Sequence, residues 1–123
     1  MKKTPSLPVA VERAYDLWLW LDARVVDFPV HARQSLGRRM LDAALDVLAA
    51  LLRATYAPRD SAYASDALTF ANERLALLRL LVRGARDRRY LAIAQHEHAA
   101  ERMAQLGRMI GAWLKRSGGL SSG

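Results

Sequence analysis

The chain has 123 residues, of which 52% are hydrophobic and 25% charged, and this composition predicts one folded domain rather than a disordered segment or two domains. It contains no cysteine, which excludes disulfides, a thiolate nucleophile and a cysteine-ligated zinc site, and which fits a reducing cytoplasm. Nineteen Lys and Arg against twelve Asp and Glu give a formal charge of +7, and such a surplus favours a polyanionic partner.

The first residues do not form a signal peptide. The segment MKKTPSLPVAVERAYDLW begins with two lysines, but prolines and then charged residues interrupt any apolar run. The longest apolar runs, such as VLAALL at 47–52, are far shorter than the ~20 residues that cross a bilayer. We therefore expect a cytoplasmic protein that does not enter a membrane.

Two helices are predicted in the first half of the chain. The first covers about 9–27, with Pro8 suited to a helix start and Pro29 closing the DFPV turn. The second covers about 30–56 and stops before Pro58.

Two more helices are predicted after the loop APRDSAYASD. The third covers about 65–86, with Ser65 or Asp66 as its N-terminal cap. The fourth covers about 90–115. The Gly/Ser-rich segment from 117 to 123 is expected to be a flexible tail.

Each predicted helix carries one apolar stripe with residues three and four apart, and no segment has the period of a strand. The predicted core residues are Val11, Ala14, Tyr15, Trp18, Leu21 and Val25; Leu36, Met40, Ala44, Val47, Leu48 and Leu51; Leu68, Ala71, Leu75, Leu78 and Val82; and Ala99, Met103, Leu106, Ile110 and Trp113. Short loops join antiparallel neighbours. The sequence thus predicts an all-α protein, a single up-down-up-down antiparallel four-helix bundle over residues 1–116.

Most of the net positive charge lies in the second half of the chain. Sixteen of the nineteen basic residues are arginine, whose forked guanidinium suits phosphate and carboxylate. Between residues 79 and 116, nine basic residues stand against three acidic ones. If the last two helices are antiparallel, we expect one basic zone that holds phosphates without reading bases. Its members are Arg79, Arg83, Arg86, Arg88, Arg89, Arg108, Lys115 and Arg116. The alternative is a compositional bias toward arginine, in which these residues only solvate helix faces.

Four residues are candidates for an oligomer interface. Trp18 and Trp20 lie on opposite sides of the first helix, so at least one faces away from the core and suggests a surface covered by a partner or another copy. A partly covered surface tryptophan is the simpler alternative. Gly107 and Gly111 are four apart, which puts two small residues on one helix face where another helix could approach.

Catalytic and metal-binding patterns are weak. In QHEHAAE, His96 and His98 point about 200° apart around a helix and cannot share one ion. The sequence has no glycine-rich phosphate loop and no serine placed beside a base. An enzyme resembling helical chorismate mutases would need arginines inside the bundle, whereas most arginines of this sequence lie outside the apolar stripes. We expect no enzyme, no metal and no cofactor.

Two segments, LLRLLVR at 77–83 and AQLGRMIGAWLKR at 104–116, resemble the Avd accessory variability proteins of diversity-generating retroelements, which are related to the four-helix proteins encoded by ribosomal RNA intervening sequences. The break FPVHARQSLGRRML between the first two helices also fits. The layout is similar over residues 12–116. The matching residues are Leu78, Arg79, Arg83, Gly107, Arg108, Gly111 and Trp113.

This resemblance implies a non-catalytic protein that assembles as a barrel-shaped homopentamer. It also implies that the protein binds RNA, possibly DNA, and a reverse transcriptase, and so supports mutagenic retrohoming, the error-prone copying of a template RNA that diversifies a target gene. The basic zone is then expected to grip the template RNA or its RNA/DNA hybrid and to help position the polymerase.

Two other functions stay open at this point. The first is an oligomeric four-helix scaffold or regulator of the intervening-sequence type, without a polymerase partner, whose arginines form salt bridges between protomers. The second, a basic amphipathic membrane binder, is disfavoured because every apolar stripe has a partner within the bundle.

Overall fold

A computed structural model describes residues 7–118, and every regular element in that range is helical. The elements are α1 (Val9–Val25), α2 (Val30–Ala32), a π-helical turn (Arg33–Gly37), α3 (Arg38–Tyr56), α4 (Ala62–Asp87) and α5 (Ile93–Gly118). The junction residues Arg33 and Arg38 both have right-handed helical dihedral angles, so α2, the π turn and α3 continue as one rod. The described chain therefore forms four helical rods, which confirms the all-α class.

The rods are arranged as an antiparallel four-helix bundle. α1 packs against α3 and α5, and α4 packs against the same two helices. At one end, which we call the upper end, the α1–α2 turn meets the α4–α5 turn. The Phe28 and Tyr90 rings lie 5.4 Å apart there, and His31 Nε2 lies 3.2 Å from the Tyr90 hydroxyl. This placement gives the predicted up-down-up-down order.

The interior of the bundle is entirely apolar among the described residues, because none of the buried side chains is polar or charged. All five residues predicted for the core face of α4 are buried, and four of the five on α5 are too, with Trp113 half-buried. In α1 the prediction is partly wrong, since Tyr15 is 44% exposed whereas Leu17 is 2% exposed. Leu17 follows Ala14 by three residues and precedes Leu21 by four, so it completes the stripe.

The π turn brings the second rod close to the end of α1. A Cβ atom at Gly37 would lie 2.6 Å from Val25 Cγ1 and 3.2 Å from the Ala32 carbonyl oxygen, so only glycine fits there without a shift of its neighbours. Arg33 Nε donates to the Phe28 carbonyl oxygen at 2.9 Å. Together these contacts fix the direction in which the chain leaves the α1–α2 turn.

The start of α4 differs from the prediction. The helix begins at Ala62 because Ser61, with an extended backbone, accepts a hydrogen bond on Oγ from the Ala64 N–H at 3.1 Å. Ser65 and Asp66, the predicted caps, lie inside the first turns of α4 instead.

Other helix ends also differ from the prediction. α1 ends at Val25 instead of residue 27. α5 starts at Ile93 instead of residue 90, and the Gln95 side chain accepts a hydrogen bond from the Ala92 N–H at 2.9 Å just before it. The helix also includes residues 117 and 118, which were predicted to begin the tail, while 119–123 lie outside the described residues.

Candidate nucleic-acid interface

Four arginines surround the end of α4, and we call Arg83, Arg86, Arg88 and Arg89 the turn cluster. Arg89 has a left-handed backbone, with a φ of 64°, which ends the helix. The backbone N–H groups of Tyr90 and Leu91 both donate to the Ala85 carbonyl oxygen, and Leu91 is buried. These contacts anchor the turn to the bundle. The Arg88 and Arg89 side chains are therefore held outward at the upper end, both exposed.

Part of the charge of the turn cluster is neutralised within it. Arg86 Nη2 lies 2.9 Å from Asp87 Oδ1, and Arg83 Nε lies 4.0 Å from Asp87 Oδ2. These groups are all more than a third exposed, so each pair adds at most about 1 kcal/mol to stability. Among the described residues, Arg88 and Arg89 have no carboxylate oxygen within 4.0 Å, and they carry the free charge.

Arg79 lies one turn further down α4 and reaches across to α5. Its Nη2 donates weakly to the Met103 carbonyl oxygen at 3.5 Å, and its guanidinium covers Gly107, where a Cβ atom would collide with Nη2. The small residue at 107 thus has a role within the protomer. Gly111 is different, because no atom lies within 4 Å of where its Cβ would be.

The remaining basic residues of the predicted zone lie far from the turn cluster. Arg116 lines a groove at the lower end of the bundle together with Pro58, Arg59 and Asp60. From the α4–α5 turn to Arg116 the distance is about 35 Å at 1.5 Å per residue. The expectation of a single basic zone is therefore wrong, because antiparallel packing carries Lys115 and Arg116 away from the turn while it brings Arg79 onto α5.

A second group of arginines, which the sequence analysis missed, lies between α1 and α5. We call it the α1–α5 groove. It has a volume of about 440 Å³. Its lining residues are Arg13, His98, Glu101, Arg102, Gln105 and Arg108. Of these, only Arg108 belongs to the predicted zone. The charge of α5 pointed to this helix, but periodicity did not indicate that Arg13 of α1 would face the same groove.

Trp20 packs against His98, one of the residues that line this groove. Its ring centroid lies 4.9 Å from that of His98, and Arg24 Cζ lies 5.3 Å from the Trp20 centroid. His98 Nε2 in turn lies 2.7 Å from Arg102 Nε. Because arginine can only donate, His98 Nε2 is the acceptor of this bond.

Trp18 lies on the opposite side of α1, as predicted. It is half-buried and packs against the core, and its Nε1 is buried without a hydrogen-bond partner. It lines a groove between α1 and α3 with Leu41 and Leu45. Both tryptophans are thus partly covered inside the protomer, and Trp18 keeps an unused N–H donor.

A family model described as bAvd-like matches residues 8–117. The chain belongs to the bAvd-like family. No curated protein and no solved structure matches the chain. The match covers nearly the whole described bundle, and it confirms the resemblance to Avd accessory proteins that residues 77–83 and 104–116 indicated.

Within residues 7–118, the His, Asp and Glu side chains of the bAvd-like bundle nowhere form a group of three or more that could hold a metal ion. His98 is engaged by Arg102 and Trp20. The internal arginine clamp of a chorismate-mutase-like site is also not present in this range, since the buried side chains are all apolar. In the same part of the chain, no helix has the length and apolar content needed to cross a membrane.

Proposed function

We propose that this bAvd-like protein is a non-catalytic accessory subunit of a reverse transcriptase. It binds the template RNA or the RNA/DNA hybrid, associates with the polymerase, and thereby supports mutagenic retrohoming and diversification of a target gene. The family match over residues 8–117 is the observation that carries this proposal. The proposal includes a cytoplasmic location and no cofactor.

The distribution of charge supports nucleic-acid binding. All sixteen arginines lie outside the buried set, and the formal charge is +7. Such a surface binds phosphates and releases counterions, so affinity for nucleic acid falls steeply as salt rises. The turn cluster, with Arg79, Lys115 and Arg116, contacts either nucleic acid or the polymerase in this proposal.

The apolar surface supports assembly into a ring. Exposed apolar side chains lie in two separate places, with Val26 and Leu45 lining the α1–α3 groove and Leu77 and Leu80 on α4. Two unlike patches favour a heterologous contact, which closes into a ring when each protomer is rotated by a constant angle. We propose a homopentamer on this basis and on the family's architecture.

Two of the four sequence candidates fit such an interface best. Trp18 is half-buried and lines the α1–α3 groove, where a neighbouring chain would cover the rest of its indole ring. Gly111 lies on open surface. Trp20 and Gly107 already have intramolecular contacts, so they are weaker candidates.

The experiment is size-exclusion chromatography with light scattering, followed by RNA binding across a salt series. We expect the protein alone to have a mass near five times 13.7 kDa, about 68.5 kDa, and to bind a structured RNA with an affinity that drops steeply with salt. A mass of one protomer would contradict the ring. Binding that is insensitive to salt would contradict the phosphate contacts.

The role of the turn cluster is tested with a charge-reversed variant. It changes Arg83, Arg86 and Arg88 to Glu and keeps Arg89, which forms the left-handed turn. The matched control makes the same charge change on three exposed arginines elsewhere: Arg39→Glu, Arg53→Glu and Arg59→Glu. We expect the cluster variant to lose RNA or polymerase binding and the control to keep both.

A second candidate function is an oligomeric scaffold or regulator without a polymerase partner. The observation that favours it is the use of arginines in ion pairs, such as Arg74 Nη2 with Asp46 Oδ2 at 3.0 Å and the two contacts to Asp87. This candidate predicts the same oligomeric mass, with no change when RNA or polymerase is added.

A further inference from the structure

The α1–α5 groove presents three guanidinium groups, from Arg13, Arg102 and Arg108, together with the Gln105 amide. Glu101 is the one acidic residue among its six lining residues. None of the six is apolar, so the groove does not suit an amphipathic helix or an apolar ligand. Its chemistry suits an anion.

The charge in this groove is less neutralised than that of the turn cluster. In the described part of the chain, Arg102 and Arg108 have no carboxylate oxygen within 4.0 Å, and Arg13 Nη1 reaches Asp16 Oδ2 only at 3.9 Å. In the turn cluster, by contrast, Asp87 contacts two arginines. An anion that enters the groove therefore gains charge-assisted hydrogen bonds without displacing a close ion pair.

Arg102 is held in position before any ligand binds. The bond to His98 uses its Nε and leaves both terminal amines of the guanidinium free. The His98 ring is itself fixed against Trp20, with Arg24 on the same indole. A side chain that is already ordered loses less conformational entropy when it binds phosphate.

The shape of the groove indicates a polymer rather than a single small anion. Arg102, Gln105 and Arg108 follow one another at three-residue intervals, so they cover about 9 Å along α5 at 1.5 Å per residue. Arg13 lies on the α1 side of the same groove. Such a row of donors matches successive phosphates of one strand.

We propose that the α1–α5 groove binds the phosphate backbone of a nucleic-acid strand. Arg13, Arg102 and Arg108 contact the phosphates, Gln105 adds a neutral donor, and His98 acts as a positioning residue for Arg102. This inference rests on the proposed function and adds to it a contact site separate from the turn cluster.

The test compares two neutralised variants that each lose three positive charges. The groove variant carries Arg13→Gln, Arg102→Gln and Arg108→Gln, and the control carries Arg39→Gln, Arg53→Gln and Arg59→Gln at exposed positions elsewhere. Fluorescence anisotropy measures binding to a structured RNA and to a DNA duplex across a salt series, and light scattering measures solution mass.

We expect the groove variant to bind at least about tenfold more weakly than the control, with a salt slope smaller by about 2 to 3, as three lost phosphate contacts require. The loss should be similar on RNA and DNA, because both share the phosphate backbone. The solution mass should equal that of the wild type.

A second pair of variants tests the positioning role of His98. In His98→Gln the side-chain oxygen can still accept from Arg102 Nε, whereas His98→Leu has no acceptor. We expect His98→Gln to bind like the wild type and His98→Leu to lose affinity, with a salt slope smaller by about 1. Equal losses in both variants would overturn the positioning role.

Three results would overturn the inference. If the wild type binds RNA and the groove variant binds as the control does, the backbone contact lies elsewhere and the proposed function stands. If the groove variant changes the solution mass, the groove is an interface between protomers. If the wild type shows no salt-dependent binding, the proposed function fails, and this inference fails with it.

Discussion

The substitution Gly37→Ala tests how closely the second rod approaches the end of α1. The new Cβ would lie 2.6 Å from Val25 Cγ1 and 3.2 Å from the Ala32 carbonyl oxygen. Val25 is 7% exposed, and the second atom belongs to the backbone, so neither can move away freely. Overpacking of this kind costs about 1–3 kcal/mol. Replacing a helical glycine contributes about 0.5–1 kcal/mol in the opposite direction, which leaves a net loss of about 0–2.5 kcal/mol, centred near 1 kcal/mol.

Gly84→Ala is the matched control for this prediction, because no atom lies within 4 Å of the Cβ position in α4. It should gain about 0.5–1 kcal/mol from helix propensity alone. Urea and thermal unfolding followed by circular dichroism, at one fixed protein concentration, measure both variants. We expect the midpoint to fall for Gly37→Ala and to rise for Gly84→Ala. If Gly37→Ala were as stable as the wild type, the contact between the π turn and Val25 would not be as tight as described.

Three other substitutions have expected outcomes, the first two in the same unfolding assay and the third in the solution mass. Ser61→Ala removes the cap that accepts from the Ala64 N–H and should cost about 1 kcal/mol, whereas no loss would place the start of α4 elsewhere. Leu75→Ala shortens a side chain that is 0% exposed and should lower the free energy of unfolding by about 3–5 kcal/mol. A decrease below about 1 kcal/mol would argue against a packed core at this position. In Gly111→Ala the new Cβ would have no atom of its own protomer within 4 Å, so the variant should reduce the oligomeric mass if a neighbouring chain covers this face. An unchanged mass with higher stability would show that Gly111 does not lie in the interface.

The helices and their inward faces could be predicted from the sequence because they depend on local periodicity. On α4, the five predicted core residues are all buried, since one stripe meets two neighbouring rods. Prediction was weaker on α1, where Tyr15, Leu17 and Trp18 lie close together and all have large, largely apolar side chains. Leu17, which has the spacing of the stripe, is the buried one of the three.

Helix ends and the π turn were harder to predict because they depend on single contacts. Ser61 and Ser65 are equally suitable as caps, and the structure selects Ser61 through its bond to the Ala64 N–H. Gly37 looks like an ordinary helical glycine in the sequence. Its role follows from the proximity of Val25, which no local pattern shows.

The candidate interface could be predicted only in part. The arginine surplus on α4 and α5 is visible in the sequence, but antiparallel packing separates Arg89 from Arg116. It also brings Arg13, from the first half of the chain, beside Arg102 and Arg108. Surface sites made by helices distant in sequence depend on which rods are neighbours, and periodicity alone does not determine that.

The most direct test of the accessory-subunit proposal is whether the purified protein retains its cognate reverse transcriptase. Affinity-tagged wild-type protein is mixed with the polymerase and template RNA, and the complex is analysed by size-exclusion chromatography with light scattering. We predict one peak that contains all three components and is heavier than the accessory protein alone. Separate elution of the polymerase, with the mass of the tagged protein unchanged by RNA, would contradict the proposal and support the scaffold without a polymerase partner.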